Sequence, residues 1–563
     1  LKKGILFIIS AMLILLSAMP AFTGLEGNPI VSAKVRIGKI GELRSDGFKV
    51  NSLSLAGSKK LPGYNYDLII YGGSPQAVST ALKAAMTTHD KARTLMIVPI
   101  NTLGSILTVG KQNLFDLNYY QSKHLPQGIP PDYKGAQGGT MFRFLKDMGS
   151  VFRPDAMASY LLNRVKAYRN ITVQFETDIT DVYMAPPSDG SGGPERIVAV
   201  RTQKLAKDVN GRYVFIGDKS PPLEAGVFVD ASESGRLARL AHVEYTIGRQ
   251  DQGIDSLQMG ATLMYKVTGV DAYKAVKIDQ EMYGYAYSEQ GAFQFWAGDE
   301  AFKIPEIMAY DRSSPFFRIK GYNAGEDGMT IVDGDSTRAE FWMNQLLVYD
   351  VDARKAWRDY EAGNGYYPQS GGLDPEIAHD MAVRELEKPV FIEMLRKLPG
   401  FENARFVIKN GHPEVGDILY LREGIHTVKD KPYTYGLTKL DVLTGGERWF
   451  NRRIGIGFYN FDSNTYTKSE PLSNPLHEPW YVPYDVLTSP KVANLLIPGY
   501  AASIDSFAWT AMRVYPNLIM LGDAAGVAAG LALLGDFRID DPTDEQIAEL
   551  QYSLKQANVI LGK

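Results

Sequence analysis

The sequence predicts a three-layer α/β fold, a parallel sheet between helices, with an α+β domain inserted into it. Three observations carry that expectation. Asp67–Tyr71 is a buried-strand pattern that runs into Gly72-Gly73-Ser74-Pro75, and Val227–Asp230 is a second that runs into Ala231-Ser232-Glu233-Ser234-Gly235. Far downstream, Leu518-Ile-Met-Leu521 is followed by Gly522-Asp523-Ala524-Ala525-Gly526. Apolar strands alternating with helices form parallel sheets covered on both faces. Residues 255–470, between the second and third unit, are aromatic-rich and irregular and read as the insertion.

In chain order, Pro75 opens a helix expected to end near Met86, because proline suits a first helical turn. A strand–glycine turn–helix unit leaves backbone N–H groups and a helix dipole where a pyrophosphate can sit. Gly72, Gly73, Ser74, Pro75, Gln76 and Ala77 are therefore candidate dinucleotide-binding residues. Of the Gly-x-Gly-x-x-Gly fingerprint, Gly72 holds the first position, Ser74 the second and Ala77 the third. Ser74 places a side chain where the backbone approaches phosphate most closely. Thr94–Val98 is the next strand. Thr172–Met184 and Arg196–Gln203 alternate around the turn-rich Pro186–Pro194, which predicts a hairpin. Asp230 and Ala231 are candidates at the end of the second motif. In the third, Leu518–Leu521 is expected as a strand. Asp523 then stands at its end beside a helix N-terminus, where a carboxylate accepts a polyol hydroxyl, flanked by Gly522, Ala524, Ala525 and Gly526. The closing helix has Thr543 as cap, Gln546 three residues on, and Ile547, Leu550 and Leu554 on one face.

Taken together, Tyr71–Ala77, Val227–Gly235 and Leu521–Gly526 resemble the three FAD-binding motifs of the FAD-dependent oxidoreductases of the glutathione-reductase-like superfold. The resemblance is closest to a bacterial subgroup sometimes loosely labelled "xanthan lyase". Phe152–Asp155, Tyr245–Arg249, Arg452–Gly457, Tyr481–Tyr484, Asn494–Gly499 and Arg513–Pro516 extend it from about Tyr64 to the C-terminus. It implies a Rossmann-like FAD-binding domain in two parts, residues 64–250 and 478–563. The 255–470 insertion would roof the flavin and set substrate choice. There are departures. The family's second strand usually ends in a Glu that binds ribose, whereas this one ends in Val98 before Pro99, and no acid lies between Asp90 and Asp116; Asn101 is the substitute candidate. Where the family commonly carries Arg, Cys and His, this chain has Tyr500, Ala501 and Ser506.

The N-terminal segment, residues 1–24, has Lys2 and Lys3 before an uncharged apolar run to Met19, and resembles a secretory signal peptide, with a membrane anchor as the alternative. Residues 25–62 read as a linker. A secreted or extracytoplasmic protein is expected, with membrane or cell-wall association possible through this end. Net charge is −4, which argues against a nucleic-acid partner. Zero Cys excludes a disulfide framework, a thiol nucleophile and flavin attachment through sulfur, and seven scattered His with no Cys argue against a structural zinc site.

Hydride transfer to a flavin needs a C–H held against the ring and often a base for a hydroxyl or amine proton. By their place in the matching segments, His426 (as base), Arg422 (for an anion or a sugar hydroxyl), Asp462, Ser503 and Arg513 are the catalytic candidates. The expected function is FAD-dependent oxidation of a small organic or carbohydrate-derived substrate, with oxygen, a quinone or a protein as acceptor. Two alternatives stay open: a flavin-binding surface protein without turnover, and a polysaccharide-active lyase or binding protein.

Overall fold

The computed structural model describes residues 65–563 except 118–119, 121, 188–191, 279–285, 288–292, 298–303, 329–330, 332–334, 431, 468 and 471–477. The expected signal segment and linker, residues 1–62, lie outside the described residues.

The first strand, β1 (Leu68–Tyr71), is fully buried, and helix α1 (Pro75–Thr87) follows it. Next come β2 (Thr94–Val98), α2 (Gly139–Met148), α3 (Pro154–Lys166) and β3 (Ile171–Phe175). The strands β4 (Thr177–Ala185), β5 (Arg196–Lys207) and β6 (Tyr213–Ile216) form an antiparallel sheet, and β7 (Val227–Asp230) returns to the first. The insertion supplies β8 (Ala261–Thr268), β9 (Ala286–Tyr287), β10 (Phe293–Ala297), β11 (Phe317–Glu326), β12 (Glu340–Val348) and β13 (Arg405–Phe406). Then follow β14 (Ile425–Thr427), β15 (Leu495–Leu496), α4 (Ser506–Met512), α5 (Tyr515–Leu534) and α6 (Asp544–Gln556).

The parallel sheet has the order β15-β7-β1-β2-β3. Its register sets Tyr71 beside Asp230 and Ile97, so the strands end together and their following turns share one edge. This is the carboxyl edge where open α/β sheets bind ligands. The insertion forms a six-stranded sheet, β9-β10-β11-β12-β8-β13, around a second apolar core that includes Phe295, Phe341 and Phe391.

Two local expectations change. The Thr172–Met184 strand divides at Glu176, whose φ is +48°. The part before it joins the parallel sheet, and the part after pairs with β5. More consequentially, Leu518–Leu521 is not a strand. It lies inside α5, a 20-residue helix that starts at Pro516 in its first turn and stops at Gly535, whose φ is +92°. The strand beside β7 is instead Leu495–Leu496. Among the described residues α5 is long and apolar enough to cross a membrane, but it is the core helix here, 83% buried along its apolar window.

The repeat Gly522, Gly526, Gly530 puts three glycines on one face of α5. A Cβ at Gly522 would strike Gln76 and Ser79, one at Gly526 would meet Lys83 Cβ at 2.7 Å, and one at Gly530 Thr87 Cβ at 2.6 Å. These glycines let α5 lie against α1, and Thr80 Oγ1 and Ser79 Oγ donate across the contact to the carbonyls of Gly522 and Ile519 at 3.1 and 3.0 Å.

Candidate functional site

The β1–α1 turn shows why this sequence folds as it does. Gly72 has φ +114°, a conformation that favours glycine, and a Cβ there would press on the Ala231 backbone at 3.0 Å. Ser74 caps α1 by accepting from Ala77 N at 3.3 Å, and its hydroxyl donates to Ala231 O at 2.7 Å. So Ser74 ties the first motif to the second while the N–H groups of Gly73 and Ser74 keep no acceptor among the described residues. Unpaired N–H groups at a helix N-terminus suit an anion.

A cavity of about 180 Å³ opens at this edge, lined by Tyr71, Gly72, Gly73, Pro99, Ser232 and Glu233 among others. It shares Ser105, Tyr213, Glu233, Ile418 and Leu421 with a second cavity of about 360 Å³. Arg236, Arg239, Arg354, Lys355 and Arg358 also line the first. Asp178 and Asp359 pair with Arg236, Asp178 also with Arg358, and Asp352 with Arg354 at 2.7 Å. Arg239 has a buried Nε without an acceptor, and burial and Arg236 pull its pKa down. Glu233 and Glu376 line it too, so five cations face five carboxylates; of the cations, Arg239 and Lys355 have no ion-pair partner among the described residues and stand beside the unpaired N–H groups. That donor set fits a dinucleotide pyrophosphate.

The other residues expected at the cofactor take the following places. Asp230 is fully buried and saturated within its own turn: its carboxylate accepts from Ser232 N and Oγ at 3.1 and 2.6 Å and from Ala238 N at 2.9 Å. Ala231 supplies the carbonyl that Ser74 and Gln76 bind. Ser232, Glu233 and Ser234 line the cavity instead. Pro75, Gln76 and Ala77 are buried in the first turn of α1 and do not line it. Asn101 is exposed and stands outside the lining. Val98 is core, and a Cβ on Gly73 would meet its Cγ1 at 2.6 Å.

Gly522, Ala524, Ala525 and Gly526 are buried in the middle of α5. Asp523 sits beside a helix N-terminus, but that of α2: it accepts from Thr140 N at 2.8 Å, and Lys83 stands 4.0 Å away. Burial pushes its carboxyl above the usual carboxylate range, against the pull of Lys83 and Thr140.

Of the five catalytic candidates, three converge. Arg513 closes α4 just before the α5 N-terminus and binds Asp462 at 2.7 Å; its Nη1 donates to Tyr420 Oη at 3.3 Å. Arg422 stacks over the Tyr420 ring, 4.4 Å from its centroid, and donates to Gly260 O and Asn344 Oδ1 at 2.6 and 3.1 Å. Burial raises Asp462, but Arg513, Lys320 and Arg422 more than offset this and hold it below the usual carboxylate range. Leu421, between Tyr420 and Arg422, lines both cavities, so one segment faces the dinucleotide cleft and the polar cluster.

The other two do not join them. His426 is fully buried in β14 and binds Glu423 at 2.8 Å; burial lowers its pKa, and Glu423 more than restores it, so the net shift is upward. Ser503 donates to Thr427 O at 2.8 Å and accepts from Gly436 N at 3.1 Å, bracing two loops. At the departures, Tyr500 Oη donates to Leu421 O at 3.1 Å and Ala501 O accepts from Thr427 Oγ1 at 2.6 Å.

Residue-type reasoning missed four groups. Asp116 and Lys320 complete the polar cluster with Arg422, Asp462 and Arg513. Ser105 and Glu233 face both cavities. Burial raises the Glu233 carboxyl, while a hydrogen bond from Ser105 draws it down less. The one sequence signal was Gly104-Ser105, a glycine turn after β2; Ser105 carries φ +45°.

The profile of the family described as FAD dependent oxidoreductase matches residues 67–554. No curated protein matches the chain. Among solved structures it is similar to the myxobacterial chondrochloren halogenase CndH, described as a variant of FAD-dependent halogenases. Identity is 11% over 86% of this chain and 77% of that one, with TM-score 0.32. For p-nitrophenol 4-monooxygenase PnpA of Pseudomonas putida DLL-E4 the figures are 11%, 62%, 68% and 0.27. For a mutant of PqsL of P. aeruginosa they are 10%, 88%, 92% and 0.30. The assignment rests on the profile, which spans most of the chain and both of the motifs that build the cleft. The chain belongs to the FAD dependent oxidoreductase family, and FAD is its cofactor.

Proposed function

We propose that this FAD-dependent oxidoreductase removes a hydride from a small organic or carbohydrate-derived substrate, and that it does so outside the cytoplasm after export through its N-terminal segment. The observation that carries the chemical part is the polar cluster of Arg422, Asp462, Arg513, Asp116 and Lys320 next to the cleft. Bound FAD supplies a two-electron acceptor for the hydride. The Gly73 and Ser74 N–H groups and Arg239 hold its pyrophosphate. Arg513 and Asp462 lock each other in place, and Leu421, which lines the cleft, stands in the chain between the cluster residues Tyr420 and Arg422. Tyr420 and Arg422, both buried, keep water from the back of the cluster and strengthen its electrostatics.

An anaerobic screen of sugars, amines and hydroxy acids tests this reading, with flavin bleaching as the signal. Bleaching by at least one class supports it. A retained flavin that dithionite reduces but every substrate class leaves oxidised favours the flavin-binding protein without turnover. Export is tested by fractionating cells that make the full chain and a version lacking residues 1–24. Recovery of both in the cytoplasm alone contradicts an extracytoplasmic site.

A further inference from the structure

The polar cluster is short of one negative charge. It holds three cations, Lys320, Arg422 and Arg513, against two carboxylates, Asp116 and Asp462. Asp462 is committed to Arg513. Arg422 is 1% exposed and has no carboxylate within ion-pair distance among the described residues. Its two hydrogen-bond partners, a carbonyl and an amide oxygen, are neutral, and its Nε is buried without an acceptor. A buried guanidinium is stable only when its charge is answered nearby. Asp116 does not answer it: burial raises this carboxyl, and its recorded partner is Asn323 Nδ2 at 3.0 Å.

Lys320, on β11, is only half-buried. Among the described residues no carboxylate lies within ion-pair distance of its Nζ, and it makes no hydrogen bond to them. The Asp462 side chain beside the cluster keeps 21% of its surface. The cluster is thus reached from the Lys320–Asp462 side and closed on the Arg422 side. On the proposed reading of this cluster as the substrate site, we propose that Lys320, backed by Arg422 and Arg513, receives a carboxylate of the substrate. A monoanion matches the single charge that is missing. A dianionic phosphate would face Asp116 and Asp462 with its second charge.

The groups facing Lys320 set how this depends on pH. Burial and the Arg422 charge push its ammonium down to about 7, Asp462 and Asp116 work against them, and Arg513 adds to the lowering. Tyr420 and Tyr459, which border the same groups, are held neutral by burial. A carboxylate arriving at the site favours the charged form, so above pH 7 binding takes up a proton. With a free-state pKa near 7, apparent affinity falls about tenfold from pH 6 to pH 8.

The test is calorimetric titration of the FAD-loaded full chain with pyruvate and benzoate, and with benzamide and inorganic phosphate as controls, at pH 6 and pH 8. We expect at least one carboxylate to bind and benzamide not to. The affinity should drop about tenfold at pH 8, and the heat there should vary with the buffer's ionisation enthalpy. Lys320→Met should abolish binding. Lys320→Arg should keep binding but lose both proton uptake and pH dependence. Three outcomes overturn the proposal: no saturable carboxylate binding at pH 6 in protein whose spectrum shows retained flavin, unchanged binding in Lys320→Met, or binding confined to FAD-free protein and displaced by FAD. The last would assign the charge to the cofactor. Because binding is read without flavin reduction, a substrate screen that bleaches nothing leaves this result separately interpretable.

Discussion

Asp523→Ala separates a structural role from a cofactor role at the third motif. Asp523 is fully buried, and its carboxylate terminates the first turn of α2 through Thr140 N and Oγ1, at 2.8 and 2.5 Å. Gly138, at the N-cap, gives no side-chain cap of its own, so nothing replaces these bonds. Leaving a buried donor unsatisfied costs about 1–3 kcal/mol. Removing the carboxylate that faces the buried Lys83 at 4.0 Å brings the total to about 3–5 kcal/mol. For a chain of this size the unfolding entropy is roughly 1 kcal/mol/K, so Tm should fall by about 3–5 °C. Asp523→Asn keeps one acceptor and should lose about half as much. The assay pairs thermal unfolding by circular dichroism with FAD affinity from flavin fluorescence quenching below the transition. The expected result is reduced Tm with FAD affinity within twofold of the parent. A variant of unchanged Tm that binds FAD tenfold more weakly would refute the capping role and restore Asp523 as a ligand.

Other expectations follow from the same geometry. Ser74→Ala removes the α1 cap and the bond to Ala231 O, and should cost about 1–2 kcal/mol in denaturant unfolding. Arg239→Gln removes a cation with an unsatisfied Nε from the cleft wall, and should weaken FAD binding about tenfold in fluorescence titration while leaving Tm within a few degrees. His426→Ala leaves Glu423 buried without its partner; Tm should fall, and kcat of the remaining folded enzyme should not, which a substrate-saturated assay checks. Burial pushes the Asp505 carboxyl up to about 6. The native state therefore holds a proton that the unfolded chain, near 3.9, has released. The stability this contributes is complete below about pH 4 and lost as pH rises to 6. Denaturant midpoints across that window should show the loss, and Asp505→Asn should flatten it.

The sequence made the first two motifs legible because each is local: a buried strand, a turn with restricted φ, and a capped helix are written in consecutive residues. Gly72 and the Thr543–Gln546 capping box took the places their residue types predict, whereas Ser74, read as a side chain facing phosphate, caps α1. The third motif misled for a physical reason. Leu518-Ile-Met-Leu521 is apolar at every position, so it carries neither a period of two nor one of 3.6, and a short buried strand and a buried helical turn look alike. Pro516 at the start of α5 and the four-residue glycine spacing on one face of it were the signals for the helix. Arg422, Asp462 and Arg513 were found through motif position. Asp116 and Lys320 were not, because the cluster draws them from a loop before α2 and from β11, and only the fold brings them together. His426 and Ser503 stand in matching segments as well, but the fold uses them as buried hydrogen-bonding braces.

The central claim is that the Gly72–Gly73 turn, the Ser232–Ser234 turn and the basic wall hold FAD. Its most direct measurement is the visible spectrum of purified protein after incubation with FAD and removal of the excess, beside the same measurement on Gly73→Val. Gly73 lines the cleft, and a side chain there would press on the core residue Val98. The account predicts a retained flavin at one per parent chain and loss of flavin from the folded variant. A parent protein that stays colourless, or a folded variant that holds flavin as tightly as the parent, would contradict it.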